Sequence, residues 1–338
     1  MEVTENQILQ QEEEYFSNSC GGVATSVVTL NSGQVMPLMA FGSSTYPAQP
    51  VERLKNAILD AVEIGYRHID TATMYLTEEG IGAGIKAVLE RGLVKNREEL
   101  FVTTKLWCDD AHPDLVLPAI KESLRKLGLE YVDMYLIHAP VTLAPHITYG
   151  AWKKGDLLPL DIKSVWAAME EVQKLGLAKS IGVSNFTCKK LTELLAHAKI
   201  IPAVNQVEMH PAMRQKNLRE FCNKKGIHVS AFSTLGGKEW GFDVVLGNEQ
   251  LKEIAQNKKK SVAQIALRWV YEQGVSVIVK SLNKGRLTEN VDIFDWKLSE
   301  EELEKIESIP QFRTSEFKDF VFEGSPFNTV EEFWDGEM

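Results

Sequence analysis

One alternation, repeated eight times, limits what this chain can fold into. Short apolar or β-branched runs end near Gly42 (LMAFG), Asp70 (YRHID), Lys105 (LFVTTK), His138 (DMYLIH), Ser184 (SIGVS), Glu208 (AVNQVE), Ser233 (HVSAFS) and Lys280 (VSVIVK). Between them, apolar residues recur three and four apart, the spacing of one helix face. VERLKNAILDAVEIG carries Val51, Leu54, Ile58 and Val62; SVAQIALRWVYEQG carries Val262, Ile265, Trp269 and Val270. Glycines follow several of these stretches, as at Gly65, Gly128, Gly176 and Gly226, and mark helix ends. Eight strand–helix units predict an α/β protein of the (β/α)8 TIM-barrel class. A doubly wound open sheet is the alternative, but it carries a Gly-rich turn directly after its first strand. The near match here, Gly80-Ile81-Gly82-Ala83-Gly84, lies inside the helix after the second strand, and its last glycine is one position early. Close helix packing is the better reading of those small residues.

The rest of the chain surrounds that barrel. Residues 1–25 are polar and weakly patterned, and are expected to be a mobile extension. SVVTLNSGQVMPL reads as a hairpin turning at Asn31-Ser32-Gly33. Residues 26–338 are expected to form a single domain with long mouth loops. One such loop carries Tyr149 and Trp152. The tail carries Phe317, Phe320, Phe322, Phe327, Phe333 and Trp334, its earlier part expected nearer the pocket. A net charge of -10 disfavours nucleic acid and anionic membrane as partners. No apolar run reaches the ~18 residues of a membrane helix. The four cysteines lack metal-site spacing and read as free thiols in a reducing, cytoplasmic setting.

Asp70, Lys105 and His138 end the second, third and fourth predicted strands, and Tyr75 lies in the loop above Asp70. In a barrel, residues one βα unit apart at the C-terminal strand ends meet at one rim. Taken singly, a strand-end histidine is more often a satisfied polar group, and a Lys–Asp pair more often a buried ion pair. Four such groups at adjacent ends point to catalysis. They suit proton donation to a carbonyl oxygen. A free tyrosine has a pKa near 10, and a close ammonium favours the phenolate and lowers that value. Asp70 would hold Lys105 charged and aimed, and His138 would orient the same oxygen. No nucleophile and no metal site is evident, so a reduced cofactor must supply the hydride.

YRHIDTATMY, TTKLW, DMYLIH, IGVSNF, NQVEMHP and VIVKSLNKGRLTEN, in this order, resemble the aldo-keto reductases from about Val27 to the C-terminus. KLWCDDAHPDLVLPAIKESL, DIKSVWAAMEE and EEFWDGEM bring the likeness nearest the plant branch that includes codeinone, methylecgonone and chalcone reductases. The resemblance implies a catalytic tetrad of Asp70, Tyr75, Lys105 and His138. It also implies NADPH/NADP+ held extended across the barrel mouth without a Rossmann fold. Ser184, Asn185 and Gln206 would hold the nicotinamide carboxamide, and Phe232 would stack on the ring. Ser233, Leu235 and Gly236 would meet the pyrophosphate. Lys280, Ser281, Asn283, Arg286, Glu289 and Asn290 would take the adenosine end. Lys280 and Arg286 offer charge and a planar fork near a helix start, which suits a 2′-phosphate, so NADPH is expected over NADH.

Two positions depart from the family pattern. Many carbonyl-reducing members carry Trp directly after the histidine, where this chain has Ala139. Many carry GxGTW on the first strand, where this chain has Ser43 and Ser44. Trp107 remains. A substrate pocket of Ser44, Trp107 and Ala139 is therefore expected to be wide and suited to a bulky ketone or aldehyde, unless loop side chains fill the space. The leading reading is reduction of such a carbonyl, a plant alkaloid, terpenoid or polyketide, to an alcohol, with hydride from nicotinamide and the proton from Tyr75. Family members that reduce carbon–carbon double bonds carry Glu at the histidine position, so His138 favours carbonyl reduction. The alternatives are a cofactor-binding regulatory subunit, or a chalcone-reductase-like enzyme beside a partner synthase. A monomer, the family's usual form, is expected.

Overall fold

The computed structural model describes residues 26–145, 147, 152–153, 155–237 and 241–337. The expected extension over residues 1–25, and Tyr149 of the mouth loop, lie outside the described residues. Strands β1 (Val27–Thr29) and β2 (Val35–Pro37) form the expected antiparallel hairpin, with Val27 opposite Pro37. Gly33 has φ 82° in the turn, a conformation that glycine adopts without steric cost.

The barrel begins with β3 (Met39–Gly42), β4 (His68–Asp70), β5 (Phe101–Leu106) and β6 (Val132–Ile137). A two-stranded insertion follows, β7 (Val141–Leu143) with β8 (Leu157–Pro159), which the sequence reading treated only as loop. The barrel resumes with β9 (Ala178–Ser184), β10 (Val204–Glu208), β11 (His228–Phe232) and β12 (Ser276–Val279). Every barrel strand pairs parallel with the next, and β12 closes on β3 through Val277 opposite Met39. That closure excludes the open sheet. Strands β3 to β6 are buried along their whole length, as strands covered on both faces must be, which is why they read as continuous apolar runs.

Helices α1 (Val51–Ile64), α2 (Glu78–Glu90), α3 (Val116–Leu127), α4 (Ile162–Lys174) and α5 (Cys188–Leu195) follow in turn around the barrel. Helices α6 (Lys216–Lys224), α7 (Glu249–Lys258), α8 (Val262–Glu272) and α9 (Lys284–Val291) continue the ring, and α9 meets α1. The apolar face of α1 starts at Leu54 rather than at Val51, which is exposed. The glycines of α2 are packing residues. A Cβ on Gly80 or Gly84 would stand 2.7 or 2.6 Å from Leu54 or Ile58 of α1, and one on Gly82 would stand 2.5 Å from the Leu127 carbonyl oxygen.

The hairpin closes the barrel's N-terminal end. Leu30 and Met36 pack with Phe101, Met134 and Val204, and Asn31 Nδ2 donates to the Pro202 and Gly226 carbonyls at 3.0 and 2.9 Å. With that end plugged, ligands have access from the C-terminal rim. Gly82→Ala is expected to lower unfolding free energy by about 1–3 kcal/mol, because the clash is with backbone that cannot swing aside. Urea denaturation checks this, and unchanged stability would show that α2 and α3 are not packed this tightly.

Candidate active site

Strand ends bring the four predicted groups together. Asp70 ends β4, Lys105 is the penultimate residue of β5, and His138 directly follows β6. Tyr75 closes a 3-10 turn, Thr73–Tyr75, which is tied down by Thr73 Oγ1 donating to the Lys105 carbonyl at 3.2 Å. Lys105 Nζ has no exposed surface, and donates to Asp70 Oδ1 at 2.7 Å, the Thr71 carbonyl at 2.9 Å and Tyr75 Oη at 3.4 Å. His138 packs edge-on to Tyr75, with ring centroids 5.4 Å apart.

The electrostatics correct one expectation. Burial, the largest influence on Tyr75, pushes its pKa up; the Lys105 ammonium pulls it down but does not prevail. The phenol therefore keeps its proton well past neutral pH. For Lys105, burial favours loss of charge, but the Asp70 carboxylate, followed by Tyr75 and the hydrogen bonds to both, outweighs it and raises its pKa. Burial, followed by the Lys105 charge, holds His138 well below the usual histidine range, so its imidazole is neutral.

A cleft of about 600 Å³ opens over this group. Of the nicotinamide-side residues, Ser184, Asn185, Gln206 and Phe232 line it, as do Ser233 and Leu235. Lys280, Ser281, Arg286, Glu289 and Asn290 line its other end. Two predicted contacts do not line it. Gly236 sits at φ 77° between cleft residues, its Cα facing Val244 and Val245. The Asn283 side chain caps α9, accepting from the Arg286 amide at 3.0 Å. Asn185 has φ 64°, turning its amide toward the Gln206 carbonyl at 2.9 Å, while its Nδ2 donates to the His138 carbonyl at 2.9 Å. Its buried Oδ1 has no partner among the described residues, so it can accept from a bound carboxamide.

Sequence reasoning missed several links. Gln206 Nε2 donates to Asp70 Oδ2 at 2.8 Å, so a predicted cofactor residue also aims the carboxylate. The Thr71 carbonyl is a backbone group and carries no sequence signal. Ser315 and Phe317 of the tail line the cleft, in keeping with the expectation that the early tail lies near the pocket.

The predicted substrate pocket is only partly as expected. Ser44 lines the cleft. Ala139 and Trp107 do not; both are buried in an apolar cluster with Val141, Leu143, Phe320 and Phe333. Ala139 shares that cluster with tail and loop side chains and has no surface in the cleft, so its small size is not part of the cleft wall. Among the described residues, no group of three His, Cys, Asp or Glu side chains could hold a metal ion, and no helix is long and apolar enough to cross a membrane.

Residues 38–311 match the model of the aldo/keto reductase family. The chain belongs to this family, and is an oxidoreductase acting on carbonyl groups. It is 58% identical over 319 residues to the 7-acetyl-epi-neemfruitin B aldo-keto reductase of Melia azedarach, covering 94% of this chain and 99% of the relative. It is 53% identical over 311 residues to an NADPH-dependent codeinone reductase of Papaver somniferum, covering 91% and 97%. A Bombyx mori aldo-keto reductase solved in complex with NADP matches with a TM-score of 0.77 and 37% identity, over 87% of this chain and 97% of that one.

His68, two residues before Asp70 on β4, gives a pH test. Burial lowers its pKa to about 4 from 6.5. Above pH 6.5 neither the folded nor the unfolded state binds the proton; as pH falls toward 4 the unfolded state binds it first, so stability is lost across that window. Replacing His68 by Gln removes this loss. The stability gap between wild type and His68→Gln is expected to shrink, or turn in the variant's favour, by roughly 2–3 kcal/mol between pH 7 and 4.5. Urea titrations at both pH values check it; a gap that does not change with pH would contradict a neutral buried His68.

Proposed function

We propose that this protein reduces a bulky ketone or aldehyde of plant specialised metabolism to the alcohol, with NADPH as cofactor. The observation that carries the reading is the Lys105 ammonium held between Asp70 and Tyr75 at the edge of the cleft. Bound NADPH supplies the hydride. Tyr75 donates its proton to the carbonyl oxygen as that oxygen gains negative charge. Burial keeps the proton on Tyr75 until then, and the Lys105 ammonium stabilises the phenolate that forms. Asp70, held by Gln206 on its other oxygen, fixes Lys105. Neutral His138 donates one N–H and orients the carbonyl. In the oxidative direction Tyr75 is the base.

Ser184, Asn185 and Gln206 would hold the carboxamide, Phe232 would offer its face to the nicotinamide ring, and Ser233 and Leu235, which line the cleft where Gly236 does not, would meet the pyrophosphate. Lys280 and Arg286 take the 2′-phosphate. Asn283 contributes by capping the helix that carries Arg286. The bulky substrate is supported by the relatives, which are named for a neemfruitin derivative and for codeinone, rather than by Ala139 or by the cleft volume, which the cofactor would share. The reading extends to a monomeric cytoplasmic protein with one domain over residues 26–338, consistent with unpaired Cys108, Cys188 and Cys222.

The test is cofactor oxidation with 4-nitrobenzaldehyde and with a four-ring steroid ketone. NADPH is expected to be consumed well ahead of NADH, with the lower KM for the larger carbonyl. Equal use of NADH would overturn the phosphate site, and no oxidation with either carbonyl would overturn the reaction.

A further inference from the structure

The tail that lines the cleft is held at both ends by residues outside the proposed chemistry. At its start, buried Glu208 accepts from the Thr314 amide at 2.7 Å, the Thr314 hydroxyl at 2.6 Å and the Ser315 amide at 2.8 Å. Its other partner is His210, with Nε2 2.9 Å from Oε1. At its end, the tail meets the start of α5. Thr187 Oγ1 donates to Asp335 Oδ2 at 2.7 Å, and Lys189 Nζ donates to Oδ1 at 3.0 Å. Lys190 is buried beneath the tail, its Nζ donating to Asp335 Oδ2 at 2.5 Å and to the Phe333 carbonyl at 2.6 Å. Glu337 accepts from the Cys188 amide at 2.9 Å.

These contacts reach the cleft through stacked rings. Phe333, whose carbonyl Lys190 grips, stacks on Phe317 at 5.2 Å with planes 13° apart. Phe317 in turn stacks on Phe320 at 5.8 Å, and Phe320 lies 6.3 Å from Trp107 beside His138. Phe317 and Ser315 line the cleft; Asp335 does not. A buried ammonium deprived of its carboxylate must lose its proton or find water or another partner, and either outcome loosens the grip of Lys190 on the tail above it. Phe333, and with it Phe317, would then move.

We propose that Asp335 is a positioning residue for substrate selection: by fastening the end of the tail to Thr187 and Lys190, it holds Phe317 as a wall of the cleft and sets affinity for large carbonyl compounds without taking part in hydride or proton transfer. The proposal rests on the reductase reading above. The latch ties two regions together, since Thr187 stands two residues beyond Asn185, which lies on the cofactor side of the cleft.

The experiment compares wild type, Asp335→Ala and a chain ending at Trp334. It uses the two carbonyl probes, NADPH binding by quenching of tryptophan fluorescence, and hydrogen–deuterium exchange over residues 314–322. The account expects faster exchange at 316–322 and a KM for the steroid ketone raised about tenfold. The kcat for 4-nitrobenzaldehyde and the NADPH affinity should stay within about twofold of wild type. Unchanged exchange in both variants, or equal losses for both probes and for NADPH, would overturn the latch. If wild type turned over neither probe, the reductase reading would fail, and the exchange measurement would still decide whether Asp335 holds the wall.

Discussion

A lysine ammonium buried without exposed surface is the constraint on which this site turns. An isolated charge there would be driven to neutrality, and Lys105 keeps its proton because Asp70, the Thr71 carbonyl and Tyr75 surround it. Each partner comes from a different place in the fold: the end of β4, the residue after it, and a short turn pinned to the Lys105 backbone. Gln206 reaches across from β10 to occupy the second oxygen of Asp70. Closing the barrel is what brings β10 within reach of β4, so the pair depends on the whole sheet and not on its neighbours alone.

The same burial gives the tyrosine its proposed behaviour. Phenol in a dry setting holds its proton, and the adjacent ammonium lowers the cost of giving it up only when a charge develops nearby. A site built this way favours transfer at the moment of need over standing ionisation. The cleft above it is lined both by strand-end residues and by Ser315 and Phe317 of the tail. On the proposed latch, the reaction can stay fixed while the tail selects what enters.

How much of this was legible in the sequence follows from where each signal resides. The barrel was legible because eight buried parallel strands leave eight apolar runs, and the four-residue cluster because Asp70, Lys105 and His138 fall one βα unit apart with Tyr75 in the loop just after Asp70. Gly80, Gly82 and Gly84 were rightly read as packing residues, since no strand precedes them at phosphate-loop distance. Ala139 misled, because it is buried in an apolar cluster whose other members include Phe320 and Phe333, far along the chain and without periodicity. The direction of the Tyr75 shift was hidden for a related reason: the neighbouring charge can be inferred from spacing, but the depth of burial cannot. Glu208 was visible in NQVEMHP, yet its tail partners at Thr314 and Ser315 lie in a segment with no regular pattern.

The central claim is that Tyr75 is the proton donor held in place by Lys105. Removing one hydroxyl, Tyr75→Phe, tests it with the least disturbance to packing. Single-turnover NADPH oxidation with 4-nitrobenzaldehyde should slow by at least about 100-fold, the scale of a general acid's contribution, while NADPH binding stays intact. A variant that reduces the aldehyde at close to the wild-type rate would contradict the account.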